Sequence, residues 1–128
     1  MDLERAQATL KAARLCLREC LFDSAANRAY FAVFQAAICA LESRGIQREE
    51  WSHKSVHSDF VQLFVRRQKV VSASFVSTLP KLMQLRHIAD YKQPGVSQTQ
   101  AERAVRLAQE LVEFTAQEVL NATEAKKI

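Results

Sequence analysis

Two glycines and two prolines in 128 residues leave this chain very little punctuation. Sheets depend on tight turns, and tight turns draw on Gly, Pro, Asn and Asp at fixed positions. No alternating run of β-branched residues is present either. The fold class that remains is all-α, an up-and-down bundle of four to five helices. The length suits one core, so residues 1–122 are expected to form a single bundle and 123–128 a frayed tail.

Apolar spacing and capping residues place the helices. Asp2 can cap a first helix to about Glu19, with Leu3, Ala6, Leu10, Ala13 and Leu17 as its stripe. Asp23 or Ser24 is expected to cap a second helix that runs to about Ser43 and stops at Gly45. This helix is apolar nearly all round, with Ala25, Ala29, Ala32, Ala36 and Ala40 on one side and Phe31, Phe34, Ile38 and Leu41 on another. Such a helix belongs in the centre. Ser52 is expected to cap a third helix over about His53 to Arg67, with Trp51 stapled onto Val56. Ser72 is expected to cap a fourth. Pro80 falls inside that helix's apolar pattern, which predicts a kink or two short helices end to end, the kink being preferred. After Pro94-Gly95, Ser97 or Thr99 can cap a long last helix to about Asn121.

The charge balance limits partners loosely. Eighteen Lys and Arg against fourteen Asp and Glu give +4, compatible with a nucleic-acid partner. No apolar run is long enough for a membrane span, and no basic head precedes an apolar stretch at the N-terminus, so a cytoplasmic location is expected. Cys16, Cys20 and Cys39 make no zinc pattern and read as reduced thiols.

Three clusters could carry chemistry. Leu85-Arg86-His87-Ile88-Ala89-Asp90-Tyr91 ends the fourth helix. At i, i+4 spacing Arg86 lies over Asp90 and His87 over Tyr91. Either Arg86 binds phosphate while His87, Asp90 or Tyr91 handles a proton, or Arg86 and Asp90 are a structural ion pair. Asn27, Arg28, Tyr30 and Gln35 interrupt the apolar second helix. Buried polar groups need partners, so these line a pocket shared with the fourth helix, or they sit at the surface with the Tyr30 hydroxyl in water. Finally, His53 and His57 stand at i, i+4, but Lys54 occupies the place where a metalloprotease helix has its Glu. That argues against a metal and leaves two readings for His53, Lys54 and His57: an anion site at a helix start, or plain capping. No Gly-rich phosphate loop or nucleophile elbow is present.

Three ordered blocks carry a resemblance. Asn27-Arg28-Ala29-Tyr30-Phe31-Ala32-Val33-Phe34-Gln35-Ala36-Ala37, Ser52-His53-Lys54-Ser55-Val56-His57 and Leu85-Arg86-His87-Ile88-Ala89-Asp90-Tyr91 resemble the small stand-alone HEPN-domain proteins of bacteria and archaea. The likeness spans about Leu3 to Leu120. It implies a helical bundle, commonly a homodimer, paired with a minimal nucleotidyltransferase as toxin and antitoxin. It also implies RNA or nucleotide as ligand, no cofactor, and a metal-independent ribonuclease activity in the active members. Their motif is an Arg, four to six intervening residues, then a His. Arg86 matches the Arg. After four intervening residues stands Tyr91, followed by Lys92 and Gln93, so the motif His is missing and the nearby His87 directly follows the Arg. A Tyr of ordinary pKa, about 10, is a poor base at neutral pH. Some family toxins are silenced by nucleotide transfer onto a Tyr near the motif, which makes Tyr91 a candidate target, although the usual His-x-Tyr arrangement is absent.

The resemblance therefore implies a toxin-type protein with Arg86, Asp90, Tyr91 and His87 at the reacting site and Asn27, Arg28, Tyr30, His53, Lys54 and His57 binding nucleotide or RNA. Its rivals are a binding module that breaks no bond, and a purely structural dimerisation bundle.

Overall fold

The computed structural model describes residues 1–69, 71 and 73–126. The helices are α1 (Leu3–Arg18), α2 (Phe22–Ser43), α3 (His53–Phe60), α4 (Thr78–Tyr91) and α5 (Gln98–Lys126). A π-helical stretch, Val61–Arg67, continues α3, and a 3₁₀ turn, Ala73–Ser77, leads into α4. Among the described residues there is no strand, and the architecture is an all-α bundle. Among the described residues, no helix is long and apolar enough to cross a membrane.

As its composition requires, α2 is central and packs against α1, α4 and α5. Ala25, Ala29, Ala32, Ala36 and Ala40 are fully buried. Their small side chains let neighbours come close: the Thr115 hydroxyl of α5 donates to the Ala36 carbonyl at 3.3 Å. Phe60, Phe64 and Phe114 fill the wider gap toward α3 and α5, with ring centroids 5.0 to 6.1 Å apart.

Local chemistry sets the helix ends. Asp2 accepts from the Glu4 amide at 2.9 Å and caps α1. Ser52 and Ser55 exchange side-chain and backbone bonds in a capping box that starts α3, and Trp51, just before the cap, packs against the core. Ser97 and Gln100 make the same exchange ahead of α5. Three helical segments are followed by a left-handed residue: Lys69, with φ +53°, comes after the π-helical stretch, and the other two close α2 and α1. At the end of α2 it is Gly45, with φ +85°, where the Ile46 amide reaches back to the Leu41 carbonyl. At the end of α1 it is Cys20, with φ +61°, and the Leu21 amide bonds the Cys16 carbonyl.

Four expectations are corrected. Neither Asp23 nor Ser24 caps α2, which begins at Phe22. The Asp23 carboxylate instead accepts from the Val96 amide at 2.9 Å, fastening the loop before α5 to the start of α2. The third helix is not uniform to Arg67: from Val61 it widens to i→i+5 bonding, with the Gln68 amide on the Leu63 carbonyl. Pro80 does not kink α4, because α4 starts at Thr78 and Pro80 falls in its first turn, where backbone amides have no helical acceptor. The apolar pattern before it belongs to the 3₁₀ turn. Lastly, α5 continues past Asn121 to Lys126. The expected cap Ser72 lies outside the described residues.

Candidate functional site

Helices α2, α3 and α4 bring the sequence-selected residues together, but not in the pairs that spacing along one helix suggests. Arg86 and Asp90 form no ion pair. Asp90 is held by the Asn27 side-chain amide of α2, which donates to its two oxygens at 3.1 and 3.2 Å. Asn27 in turn accepts from Arg28 Nη2 at 2.6 Å and Nε at 3.0 Å. Asn27 thus links the Arg28 guanidinium to the Asp90 carboxylate. Along with Tyr91, these three residues line an open cleft of about 730 Å³ between α2 and α4. Tyr91 is 69% exposed, and the His87 ring lies against it with centroids 5.1 Å apart.

Arg86 turns the other way. Its guanidinium carbon lies 5.0 Å from the Tyr30 ring centroid and 5.4 Å from that of Phe31. These distances are within cation–π range. Its Nε is buried without a hydrogen-bond partner among the described residues. The Phe31 ring also carries Arg28, at 5.3 Å, so one aromatic ring serves two guanidinium groups. Tyr30 does not reach water: it is 3% exposed, and its hydroxyl meets His53 Nδ1 at 3.3 Å. His53 stacks on His57 with centroids 6.4 Å apart and rings nearly parallel. The result is a row in which Arg28, Phe31, Arg86 and Tyr30 alternate guanidinium with aromatic ring and the His53–His57 stack continues it.

The electrostatics follow from this packing. Burial pushes the Tyr30 hydroxyl pKa up, against the pull of the Arg86 charge. Burial pushes His53 below its ordinary 6.5, and His57 and Arg86 push it further the same way. Of the other selected residues, Lys54 is exposed on α3, while Gln35 accepts from the Thr9 hydroxyl of α1 at 2.8 Å, facing away from α4. Among the described residues, no three His, Cys, Asp or Glu side chains gather as a metal site would need.

Sequence reasoning missed two features. One is Phe31, the shared platform. Its i, i+3 spacing from Arg28 was a usable signal, but Arg86 reaches it only through the fold. The other is where the charge lies. Residues 61–92 hold six basic side chains (Arg66, Arg67, Lys69, Lys81, Arg86 and Lys92) and one acidic, Asp90. The whole excess of the chain therefore sits in the stretch that contains the π-helix and α4.

A family model described as HEPN domain matches residues 2–119. No curated protein matches the chain. The match covers nearly the full length, and the three blocks that first suggested it are those that build the row on α2, α3 and α4, so this chain belongs to the HEPN family.

Proposed function

We propose that this protein is the toxin-type component of a two-protein module with a nucleotidyltransferase, acting on RNA as a homodimer in the cytoplasm. The observation that carries the reading is Arg86: a guanidinium braced on two aromatic rings, paired with no carboxylate among the described residues, inside the most basic stretch of the chain. Arg suits forked contacts to phosphate oxygens, and aromatic–cation surfaces suit single-stranded nucleic acid, whose bases stack and whose backbone is anionic. In this reading Arg86 holds the phosphodiester, Arg28 adds a second phosphate contact, and Tyr91 and His87 face the RNA from the cleft. Three free thiols, Cys16, Cys20 and Cys39, fit a reducing compartment.

The test is RNA degradation by the purified protein, with Arg86→Ala in parallel and circular dichroism to confirm folding. Cleavage lost with Arg86→Ala supports the reading, and cleavage that survives the change sinks the site. Co-purification with a minimal nucleotidyltransferase checks the partner.

A second reading has its own support. Tyr91 stands where the active motif has His, and a phenol lacks the imidazole nitrogen that would accept a proton. The same surface would then bind RNA or nucleotide without cleaving it. Tight binding of RNA by wild-type protein, with no turnover over long incubation, selects this reading.

A further inference from the structure

Side chains from two helices meet Tyr30 of α2 from different directions. Arg86 of α4 lies over the ring at 5.0 Å, and His53 of α3 touches the hydroxyl through Nδ1 at 3.3 Å. The phenol is buried, and among the described residues His53 is the hydroxyl's hydrogen-bond partner. A buried hydroxyl needs an acceptor for its hydrogen, and Nδ1 is the acceptor this contact offers in the tautomer where Tyr30 donates. A neutral imidazole whose Nδ1 accepts must carry its proton on Nε2. His53 is also kept neutral, since burial, His57 on its own helix and Arg86 across from it all oppose a charge there. His53 therefore offers an N–H and no spare lone pair.

The Arg86 side has matching needs. Its buried Nε has no hydrogen-bond partner among the described residues, and Asp90, one turn further along α4, is engaged by Asn27. A charged donor and a neutral donor thus flank one aromatic side chain.

We propose that Arg86 and His53 form a phosphate clamp across Tyr30, in which Arg86 supplies the charge and His53 a neutral Nε2–H to the same phosphodiester. This rests on the phosphate-binding reading of Arg86 given above and adds to it a contact from α3 on the same phosphate. It also assigns His53 a role distinct from that of the missing motif His. In this tautomer His53 binds a phosphoryl oxygen and cannot take a proton from the substrate at Nε2.

The test uses the full chain and a short single-stranded oligoribonucleotide with 2′-O-methyl sugars, which can bind but cannot be cleaved through the 2′ oxygen. Fluorescence anisotropy reads affinity. A hydrogen bond to a charged group sets the scale of the loss: His53→Leu is expected to weaken binding about tenfold or more, while His53→Gln, which restores an N–H donor without a titrating ring, recovers most of it. Equal losses for both variants would overturn the donor role. Binding that disappears with Arg86→Met but is unchanged by His53→Leu would overturn the clamp and leave Arg86 standing alone. Failure of the wild-type protein to bind the oligonucleotide would overturn both. Should His53→Leu not fold, histidine ¹⁵N spectra of the wild-type protein decide: the proton on Nε2, with a shift on adding the oligonucleotide, supports the clamp, and the proton on Nδ1 refutes it.

Discussion

Asp90 is bound by Asn27, 63 residues earlier in the chain, and not by Arg86, which precedes it by one turn on the same helix. A helical i, i+4 ion pair is worth only a few tenths of a kcal/mol, so a tertiary partner easily displaces it. The consequence is an Arg86 side chain whose charge is stabilised by ring faces instead of by a carboxylate. Its charge stays available to an outside anion.

This arrangement makes Arg86 costly or neutral for stability and valuable for binding. Cation–π contact contributes about 0.5 to 2 kcal/mol, and a buried unpaired nitrogen costs about 1 to 3 kcal/mol. Arg86→Met, which keeps the long stem and removes both terms, should leave unfolding free energy within about 1 kcal/mol of wild type, as measured by urea denaturation. RNA binding should fall steeply in the same variant. A large stability loss with unchanged binding would mark Arg86 as structural.

Asp90 is the one acidic residue in a basic stretch and faces the cleft. Asp90→Asn removes a charge that repels phosphate and keeps an acceptor for Asn27. RNA affinity should rise a few-fold at low salt, and the gain should shrink as salt is added. Filter binding across a salt series checks this. A fall in affinity would show that the carboxylate serves the site directly.

The His53 environment predicts a pH response. In the unfolded chain His53 takes up a proton near its ordinary 6.5, and in the folded chain it resists that proton. The unfolded state then binds more protons in this range, so stability is complete above pH 6.5 and falls as the pH drops below it. Comparing wild type with His53→Gln by denaturation at several pH values cancels the other titrating groups. The variant should show the shallower decline, and parallel curves would remove His53 as a cause.

Two glycines separate backbone strain from close contact. Gly45 has φ +85° and open space around it, so Gly45→Ala should cost about 1 kcal/mol through conformation alone. Gly95 has φ +92°, and a Cβ there would stand 2.5 Å from Asp23 Oδ1. Gly95→Ala should therefore cost about 1 kcal/mol more than Gly45→Ala. In an Asp23→Ala background that excess should vanish, a double-mutant cycle read from urea midpoints.

What could be read from the sequence was local. Asp2, Ser52 and Ser97 cap helices because a capping side chain bonds amides two or three residues away, and such bonds need no tertiary partner. The central place of α2 followed from its lack of a polar face. What could not be read involved long-range partners. Asp23 looked like a cap, but Val96 claims it from 73 residues away. Tyr30 looked able to reach water, but α3 brings His53 over its hydroxyl. The π-helical stretch escaped because apolar spacing at a period of 3.6 presumes the regular turn that the stretch abandons. Arg86 was identified through its motif and position, while the two rings beneath it were not.

Because residues 61–92 carry more positive charge than the whole chain, the remainder is close to neutral. The molecule is therefore electrically lopsided. A polyanion at a distance of one Debye length, about 10 Å at moderate salt, would exert a torque before any contact forms. Such a field turns a protein's basic side forward during approach and raises the fraction of productive encounters. Orientation would then be selected in solution, ahead of and apart from recognition at the surface.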